Sequence, residues 1–275
     1  MVKYNEIFVS VIMPVYNGSI YLEEAIISIL NQTHRNFEFI IVDNQSTDQS
    51  YNLVLKYAQK DTRIKIFQET KKGVAYALNN ALITATGDFI FRMDCDDLST
   101  LDRFENTIKY MINNDLDVCG SFINKFGKTN SQIYYPIDDL AIRFAMNYCS
   151  PFAHPSICFN SRIKEHIIYE DKIAEDLILW RKLALIDNIH FGNIPLSLLK
   201  YRTHNSQVTN SNSYTILTEI DSIIIESNID KIAKHNISLK DKIFIIRNYL
   251  GKIHINIIKK VYLLNVMMLK HLLLK

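Results

Sequence analysis

Residues 87–97 decide the fold of this chain, and they read Gly87-Asp88-Phe89-Ile90-Phe91-Arg92-Met93-Asp94-Cys95-Asp96-Asp97. The apolar run at 89–91 is typical of a buried strand, and three carboxylates follow within four positions. Carboxylates this close raise each other's pKa, so the arrangement is favourable mainly when a cation lies among them. A hard divalent ion takes oxygen ligands and leaves positions open for a substrate phosphate. The stretch therefore predicts a metal and phosphate site at a strand end.

Upstream of this stretch, apolar segments alternate with helical patterns. Strands are predicted at residues 7–13, 37–42 and 64–67, and helices at about 22–29, 49–59 and 74–84. Such alternation predicts an α/β fold of the Rossmann-like kind, with a mostly parallel sheet, helices on both faces and ligands at the carboxyl ends of the strands. Asp43 ends the second predicted strand, so we expect it to share one crevice with the carboxylates at 94–97.

Downstream, the pattern is less regular. The run Ser99-Thr100-Leu101-Asp102 has the form of a capping box that opens a helix. Further elements are predicted as a strand near 119–126, a helix near 139–147, an extended segment at 155–159, a helix at 175–185, a strand at 194–201 and a polar loop at 202–207.

Length and composition limit the class of protein. The 275 residues suffice for one domain with an appendage or for two small domains. The four cysteines form no Cys-x-x-Cys pair, which favours a reducing cytosol over a disulfide framework. The N-terminus lacks the apolar region of a signal peptide, and no run of 18 apolar residues occurs, so we predict no transmembrane span.

The charge is unevenly distributed along the chain. The net charge is +2, but residues 231–275 contain ten Lys or Arg and one Asp, which gives +9 and leaves −7 for the rest. Lysines alternate there with Ile, Leu and Val, so a helix would carry an apolar strip beside a cationic one. Such a segment can lie on an anionic membrane surface. The alternatives are a helical cap on the preceding domain or a contact in a homodimer.

Four motifs together resemble, in sequence and in order, the family 2 glycosyltransferases of the GT-A fold. They are Val9-Ser10-Val11-Ile12-Met13-Pro14-Val15-Tyr16-Asn17, Ile40-Ile41-Val42-Asp43-Asn44-Gln45-Ser46-Thr47-Asp48, Gly87-Asp88-Phe89-Ile90 and Asp94-Cys95-Asp96-Asp97. Each motif is weak by itself, and the shared order is specific. The resemblance covers roughly residues 7–210.

The resemblance implies an inverting transfer of a sugar from a nucleoside diphosphate donor, usually UDP-linked, to an acceptor hydroxyl. It assigns Pro14, Tyr16 and Asp43 to the nucleotide, since a Tyr ring can stack on a base and an Asp carboxylate can accept a hydrogen bond from a uracil N–H. The alternatives are a core aromatic for Tyr16 and a turn former for Asp43. Backbone N–H groups at Gly73 are a further candidate for phosphate contact.

In this resemblance, Asp94-Cys95-Asp96 is the DxD motif that binds the donor. Asp96 is expected to bind Mn²⁺ or Mg²⁺, and Asp94 to lie nearer the ribose and the diphosphate. The metal would neutralise the charge that builds on the leaving diphosphate. Asp97 is expected either to bind the metal or to cap the following turn. The alternative for the whole motif is a solvated acidic turn.

Glu175 and Asp176 match the family's Glu-Asp pair, in which the Asp is the general base. Asp176 is therefore the candidate catalytic base, and Glu175 orients it or the acceptor. The alternative is that both residues favour a helix N-terminus electrostatically. His154, Arg202 and His204 lie in further family-like segments, and the last two are candidates for contact with the diphosphate or the metal. For each histidine, a structural role is the alternative.

Two departures from the family pattern refine the interpretation. The Gln-x-x-Arg-Trp motif of processive synthases is absent, because the only tryptophan, Trp180, lies in Ile178-Leu179-Trp180-Arg181. A single transfer per acceptor is therefore expected. Asn44 and Gln45 replace the Asp-Gly that is usual after Asp43, so the geometry around the base is expected to differ.

The sequence thus predicts a GT-A catalytic domain at residues 1–210 and a helical extension at 211–275. The nucleotide part spans about 1–98 and the acceptor part about 99–210. The predicted activity adds one hexose or N-acetylhexosamine from a UDP-sugar to a glycan or lipid-linked acceptor of bacterial lipopolysaccharide or capsule. The predicted location is the cytoplasm, peripheral to the inner face of the membrane, with no nucleic-acid partner.

Three rival functions are considered. A catalytically inactive GT-A module would keep the fold, but Asp43, Asp94, Asp96 and Asp176 are all present. A nucleotidyltransferase requires a Gly-rich phosphate loop, which residues 14–18 do not supply. An NAD-dependent oxidoreductase requires a Gly-x-Gly motif, and the sequence contains none. The donor sugar and the acceptor are not specified by the sequence.

Overall fold

A computed structural model describes residues 3–146, 149–172 and 174–205 of the chain. The predicted helical extension at 211–275, together with its membrane-binding segment, lies outside the described residues. No helix within the described ranges is long and apolar enough to cross a membrane.

The described residues contain one sheet of nine strands. The strands are β1 (Val9–Val15), β2 (Phe37–Asp43), β3 (Ile64–Gln68), β4 (Phe89–Arg92), β5 (Leu98–Ser99), β6 (Val118–Gly127), β7 (Ser131–Ile133), β8 (Cys158–Asn160) and β9 (Phe191–Thr203). Their order is β3-β2-β1-β4-β8-β6-β9-β5, and β7 pairs with β6 beside this path.

The described ranges also contain six α-helices and three short 3-10 turns. The helices are α1 (Leu22–Leu30), α2 (Ser50–Ala58), α3 (Val74–Thr84), α4 (Arg103–Asn113), α5 (Asp139–Ala145) and α6 (Glu175–Ala184). The turns lie at Tyr4–Glu6, His154–Ser156 and Ser161–His166. Helix α1 buries Leu22, Ala25, Ile26 and Ile29, the face that the sequence spacing predicts.

The parallel sheet that the sequence predicts is found in the first half of the chain. Strands β3, β2, β1 and β4 pair in parallel, so their carboxyl ends lie at one edge. Beyond β4 the sheet is mixed, because β8 is antiparallel to both β4 and β6 while β9 is parallel to β6. The fold is therefore α/β, with a parallel part formed by β1 to β4 and a mixed part beyond β4.

Both faces of the central strands are covered by helices. Along β1, Val11 and Met13 belong to the apolar cluster on one face, and Ile12 belongs to the cluster on the other. Helices α1 and α4 contribute to the first cluster, and α3 and α6 to the second. Because alternate side chains of a strand point to opposite faces, a strand covered on both sides is apolar throughout. This explains the continuous apolar run of β1.

Two local expectations are wrong. Ser99 does not open a helix, because it lies in β5 and pairs with Leu199 of β9. Helix α4 begins at Arg103 without a side-chain capping bond. Arg202 and Thr203 lie in β9 and not in a loop, because they continue the parallel pairing with Phe126 and Gly127.

Candidate active site

The acidic residues predicted to bind metal form a short loop between β4 and β5. Ligand oxygens of Asp94, Asp96 and Asp97 all lie within 4.8 Å of one another. Before the loop, the N–H of Met93 donates to the Ile12 carbonyl at 3.0 Å, and after it Leu98 pairs with Lys200. The loop is thus fixed to β1 at one end and to β9 at the other.

Asp94 is held by a buried arginine that the sequence analysis missed. Both terminal nitrogens of Arg92 donate to the two carboxylate oxygens of Asp94 at 2.6 Å. Arg92 is 4% exposed, and its carbonyl accepts a hydrogen bond from Arg103, which is itself fully buried. A lone charge inside the run Phe-Ile-Phe-Arg-Met was the available signal, since a buried cation requires a partner.

Asp96 and Asp97 are held by the end of β9. His204 Nε2 lies 2.9 Å from Asp96 Oδ2, and Arg202 Nε donates to the Asp96 carbonyl at 2.8 Å. The backbone N–H of Arg202 donates to Asp97 Oδ1 at 2.8 Å. The structure therefore brings the predicted Arg202 and His204 to the acidic loop. Arg202 reaches this position as part of a strand.

The acidic loop fits a divalent cation. Asp97 is buried, and its Oδ2 has no hydrogen-bond partner within the described residues. Burial, followed by the charges of Asp94 and Asp96, raises the pKa of Asp97 well above its usual range. A bound cation would reduce the repulsion among the three carboxylates and would give Asp97 Oδ2 a partner. Asp94, Asp96, Asp97 and His204 are the residues that would hold it.

Cys95, between Asp94 and Asp96, contacts the loop after β1. A Cβ on Gly18 would lie 2.7 Å from Cys95 Sγ, so the thiol packs against the loop after β1. Burial, followed by the charge of Asp96, raises the pKa of Cys95. The raised pKa favours the protonated thiol, which packs against Gly18.

The predicted nucleotide residues lie at the same edge of the sheet. Asp43 ends β2 and is buried; its Oδ2 accepts from the Ser46 N–H, and its Oδ1 has no partner in the described part of the chain. Tyr16 is 47% exposed, and Lys72 Nζ lies 5.1 Å from its ring centre. Pro14, by contrast, is buried inside β1 opposite Val42.

Asn44 and Gln45 join the loop after β2 to the loop after β3. Asn44 donates to the Lys71 carbonyl at 2.7 Å and accepts from the Gly73 N–H at 2.7 Å. Gln45 donates to the Thr70 carbonyl and has a φ of 62°, in the left-handed region that favours glycine. Because the N–H of Gly73 is bonded to Asn44, it is not directed at a ligand.

The predicted catalytic pair lies in the first turn of α6. Ser150 Oγ donates to Asp176 Oδ2 at 2.8 Å. Glu175 Oε1 lies 3.7 Å from His154 Nδ1. Burial, followed by the charge of Asp176, raises the pKa of Glu175 to about 8. Glu175 is therefore largely protonated at neutral pH.

His154 is a neutral member of this group. Burial, followed by the nearby charge of Arg92, holds the pKa of His154 well below its usual range. Its Nε2 lies 3.0 Å from the Tyr169 hydroxyl. Arg92 thus acts electrostatically on both groups of carboxylates, since its charge affects Asp94, Glu175 and His154.

A family model matches more than half of the chain. The model of the family described as "Glycosyl transferase family 2" matches residues 10–163. The chain belongs to glycosyl transferase family 2. The matched residues include β1 from its second residue, β2 to β4, the acidic loop and His154. Asp176, Arg202 and His204 lie beyond the matched range.

Two bacterial glycosyltransferases are similar to the chain in sequence. The chain is 34% identical to the "O-antigen biosynthesis glycosyltransferase WbnJ" of Escherichia coli, over 74% of this chain and 82% of that protein. It is 41% identical to an uncharacterized glycosyltransferase of Haemophilus influenzae, over 39% of this chain and 44% of that protein. Against this second relative, the alignment spans less than half of each chain.

Solved structures support the same fold. The S. aureus TarS fragment 1–349 in complex with UDP-GlcNAc superposes with a TM-score of 0.66 at 22% identity, over 88% of this chain and 71% of that one. The mannosyltransferase PcManGT of Pyrobaculum calidifontis, in complex with GDP-Man and Mn²⁺, gives a TM-score of 0.59 at 20% identity, over 87% and 68%. At these identities the likeness shows the fold alone.

Proposed function

We propose that this chain is an inverting, metal-dependent glycosyltransferase that moves one sugar from a UDP-sugar to a hydroxyl group. The observation that carries the proposal is the clustering of Asp94, Asp96 and Asp97 at the end of β4. Asp43 ends the parallel strand β2, two strands away at the same edge of the sheet. Both places have a buried carboxylate oxygen without a partner in the described residues.

The nucleotide is assigned to the end of β2. Asp43 Oδ1 can accept a hydrogen bond from the N–H of uracil, which cytosine lacks at that ring position, and the exposed ring of Tyr16 can stack on the base. The TarS structures with UDP-GlcNAc and with UDP support a uridine donor, and the GDP-Man complex of PcManGT marks the alternative.

A divalent ion, Mn²⁺ or Mg²⁺, is assigned to Asp96 and Asp94, with His204 and Asp97 as further ligands. When bound, the ion neutralises the negative charge of the diphosphate leaving group. Arg202 adds a fixed positive charge beside the loop, since its side chain bonds to the Asp96 carbonyl and to Glu24. The Mn²⁺ in the PcManGT structure supports this assignment.

Asp176 is assigned as the general base. The hydroxyl group of the acceptor transfers its proton to Asp176 as its oxygen forms a bond to the anomeric carbon of the sugar. The bond from that carbon to the diphosphate oxygen breaks, and its electron pair leaves with the diphosphate. Attack from the face opposite the leaving group inverts the configuration. Glu175, protonated at neutral pH, can donate a hydrogen bond to the acceptor.

The acceptor class is proposed from the relatives and from the charge of the C-terminal segment. WbnJ is named for O-antigen biosynthesis, and the +9 charge of residues 231–275 suits an anionic membrane surface where lipid-linked acceptors lie. We therefore assign a glycan or lipid-linked acceptor of a bacterial surface polysaccharide. Flotation with anionic vesicles, which neutral vesicles should not reproduce, tests the membrane contact.

Thermal unfolding with nucleotides tests the donor site. The full chain is heated with UDP, GDP, CDP or NAD, each with and without Mn²⁺, because a ligand that binds only the folded state raises the unfolding midpoint. We expect the largest increase with UDP and Mn²⁺ together. A shift with GDP alone would replace the uridine assignment, and the absence of a shift with every nucleotide would overturn the donor site.

A further inference from the structure

Asp176 does not stand alone on α6, since its carboxylate is bonded to Ser150. Ser150 Oγ lies 2.8 Å from Asp176 Oδ2 and 3.3 Å from the carbonyl of Phe152. A hydroxyl has one hydrogen, and a carboxylate is the stronger acceptor. The geometry therefore favours donation from Ser150 to Asp176.

Trp180 completes a chain of three groups. Its Nε1 donates to Ser150 Oγ at 3.2 Å, which orients the serine hydroxyl hydrogen toward the carboxylate. Asp176 and Trp180 are four residues apart on α6, so their side chains lie on one face of the helix. The order of donation is Trp180 to Ser150 to Asp176.

The indole is rigidly held. Trp180 is fully buried, and its ring contacts Phe152 at 5.2 Å, His154 at 5.8 Å and Phe159 at 5.9 Å between ring centres. A packed ring of this size has one available orientation, and its N–H direction is fixed with it. The position of the serine hydroxyl is therefore set by the core of the domain.

We propose that Ser150, oriented by Trp180, is a positioning residue that fixes the carboxylate of Asp176. This inference rests on the proposed role of Asp176 as the base. With Oδ2 engaged by Ser150, Oδ1 is the oxygen that receives the proton of the acceptor hydroxyl. A base held within hydrogen-bond reach of its substrate needs such support, because small misplacements reduce the rate strongly.

The proposal has a spectroscopic consequence. Trp180 is the only tryptophan of the chain, so its emission reports on its hydrogen bond to Ser150. In Ser150→Ala, Nε1 loses its acceptor, and we expect the emission of the full chain to shift to shorter wavelength. Ser150→Thr keeps a hydroxyl and should restore the wild-type emission. An unchanged spectrum in Ser150→Ala would overturn the hydrogen-bond chain whatever the activity of the enzyme.

A matched control exists at the other end of β4. Ser161 is also half-buried, and it follows Asn160, which pairs with Phe89 at the start of β4, whereas the acidic loop follows the end of that strand. Ser161→Ala should therefore leave both the emission and the rate unchanged. Thermal unfolding of each variant separates a local effect from a loss of folded protein.

Kinetics then test the positioning role. UDP release is followed with Mn²⁺ and whichever of UDP-glucose, UDP-galactose, UDP-GlcNAc and UDP-GalNAc the wild type turns over fastest. We expect Ser150→Ala to lower kcat about tenfold to a hundredfold with an unchanged KM for the donor. Ser150→Thr should keep most of the wild-type kcat. Trp180→Phe keeps a packed ring without the N–H and should lower kcat less.

The outcomes distinguish this inference from the proposed function. If Asp176→Asn retains the wild-type rate, the assignment of the base is wrong. If Asp176→Asn is inactive while Ser150→Ala keeps its kcat, the base stands and the positioning role of Ser150 is overturned. A parallel fall in kcat for both variants, with rescue by Ser150→Thr, supports the proposal.

Discussion

At the end of β4 a carboxylate is paired with a fixed cation, Arg92, whereas the carboxylates at the start of α6 lie beside neutral groups. Asp94 is paired with Arg92 and Asp96 with His204. Asp176 accepts from a serine hydroxyl, and the histidine beside Glu175 is neutral because its pKa is depressed. Fixed positive charge suits a site that binds an anionic diphosphate. Neutral donors suit a carboxylate with the proposed role of a general base.

Removing a carboxylate from the first group should have the largest effect. In Asp96→Ala we expect UDP binding to lose its dependence on Mn²⁺ and turnover to fall by on the order of 10⁴-fold, since charge on the leaving group is no longer neutralised. Calorimetric titration of UDP with and without Mn²⁺ measures this. Asp187→Ala, at an exposed turn, is the control. Unchanged metal-dependent affinity would remove Asp96 from the metal site.

Changing the second group should separate chemistry from binding. We expect Asp176→Asn to lower kcat by about 10²- to 10⁴-fold, the range of general base catalysis, while UDP and Mn²⁺ bind as in the wild type. Single-turnover rates and calorimetry on the same samples measure the two effects. Asp187→Asn serves as the control. Weakened UDP binding in Asp176→Asn would mean that the two groups are not independent.

The raised pKa of Glu175 gives the start of α6 its own pH dependence. Because the pKa of Glu175 is raised from 4.5 to about 8 on folding, its stabilising contribution is complete below pH 4.5 and is lost as the pH rises through 8. We expect stability to fall by on the order of 3 kcal/mol between pH 5 and pH 8, and by less in Glu175→Gln.

Urea unfolding at several pH values without metal or nucleotide measures this difference. Glu165→Gln changes an exposed glutamate in the turn at Ser161–His166. In this variant the free energy of unfolding should depend on pH as it does in the wild type. If the free energy of unfolding depends on pH equally in the wild type and in Glu175→Gln, the pKa of Glu175 is not raised in solution.

The smallest effect on stability is expected at Gln45, whose backbone has a positive φ in the loop after β2. Replacing Gln45 by Ala or by Gly removes the bond to Thr70 in both cases, but only Ala keeps a Cβ at a positive φ. The Gly variant should therefore be more stable than the Ala variant by about 1 kcal/mol. Urea unfolding of the two variants measures the difference. Equal stabilities would mean that residue 45 leaves the left-handed region in solution.

The sequence predicted the parallel strands beside the acidic loop, and it did not predict the pairing of β9. The apolar runs of β1, β2 and β4 each end in the polar residues that carry the donor motifs, so local pattern was enough to predict the parallel half. Strand pairing decided the rest. Arg202 belongs to β9 because it pairs with Phe126, seventy-six residues earlier, and no local pattern records such a contact.

Positioning residues were harder to predict than the residues they hold. Arg92 carried a signal, since it is a single charge in an apolar strand, and its partner two positions later was within reach. Ser150 carried none, because its link to Asp176 and Trp180 spans 26 and 30 residues and depends on how α6 packs.

Strand β5 is only two residues long, yet it determines when the acidic loop becomes ordered. Leu98 and Ser99 pair with β9, and the Thr100 N–H donates to the Leu198 carbonyl, so residues 94–97 cannot change path without separating from β9. The conformational entropy of the loop is therefore lost during folding and not during ligand binding. A nucleotide bound as proposed would meet an ordered loop, so its affinity would not be reduced by the cost of ordering that loop.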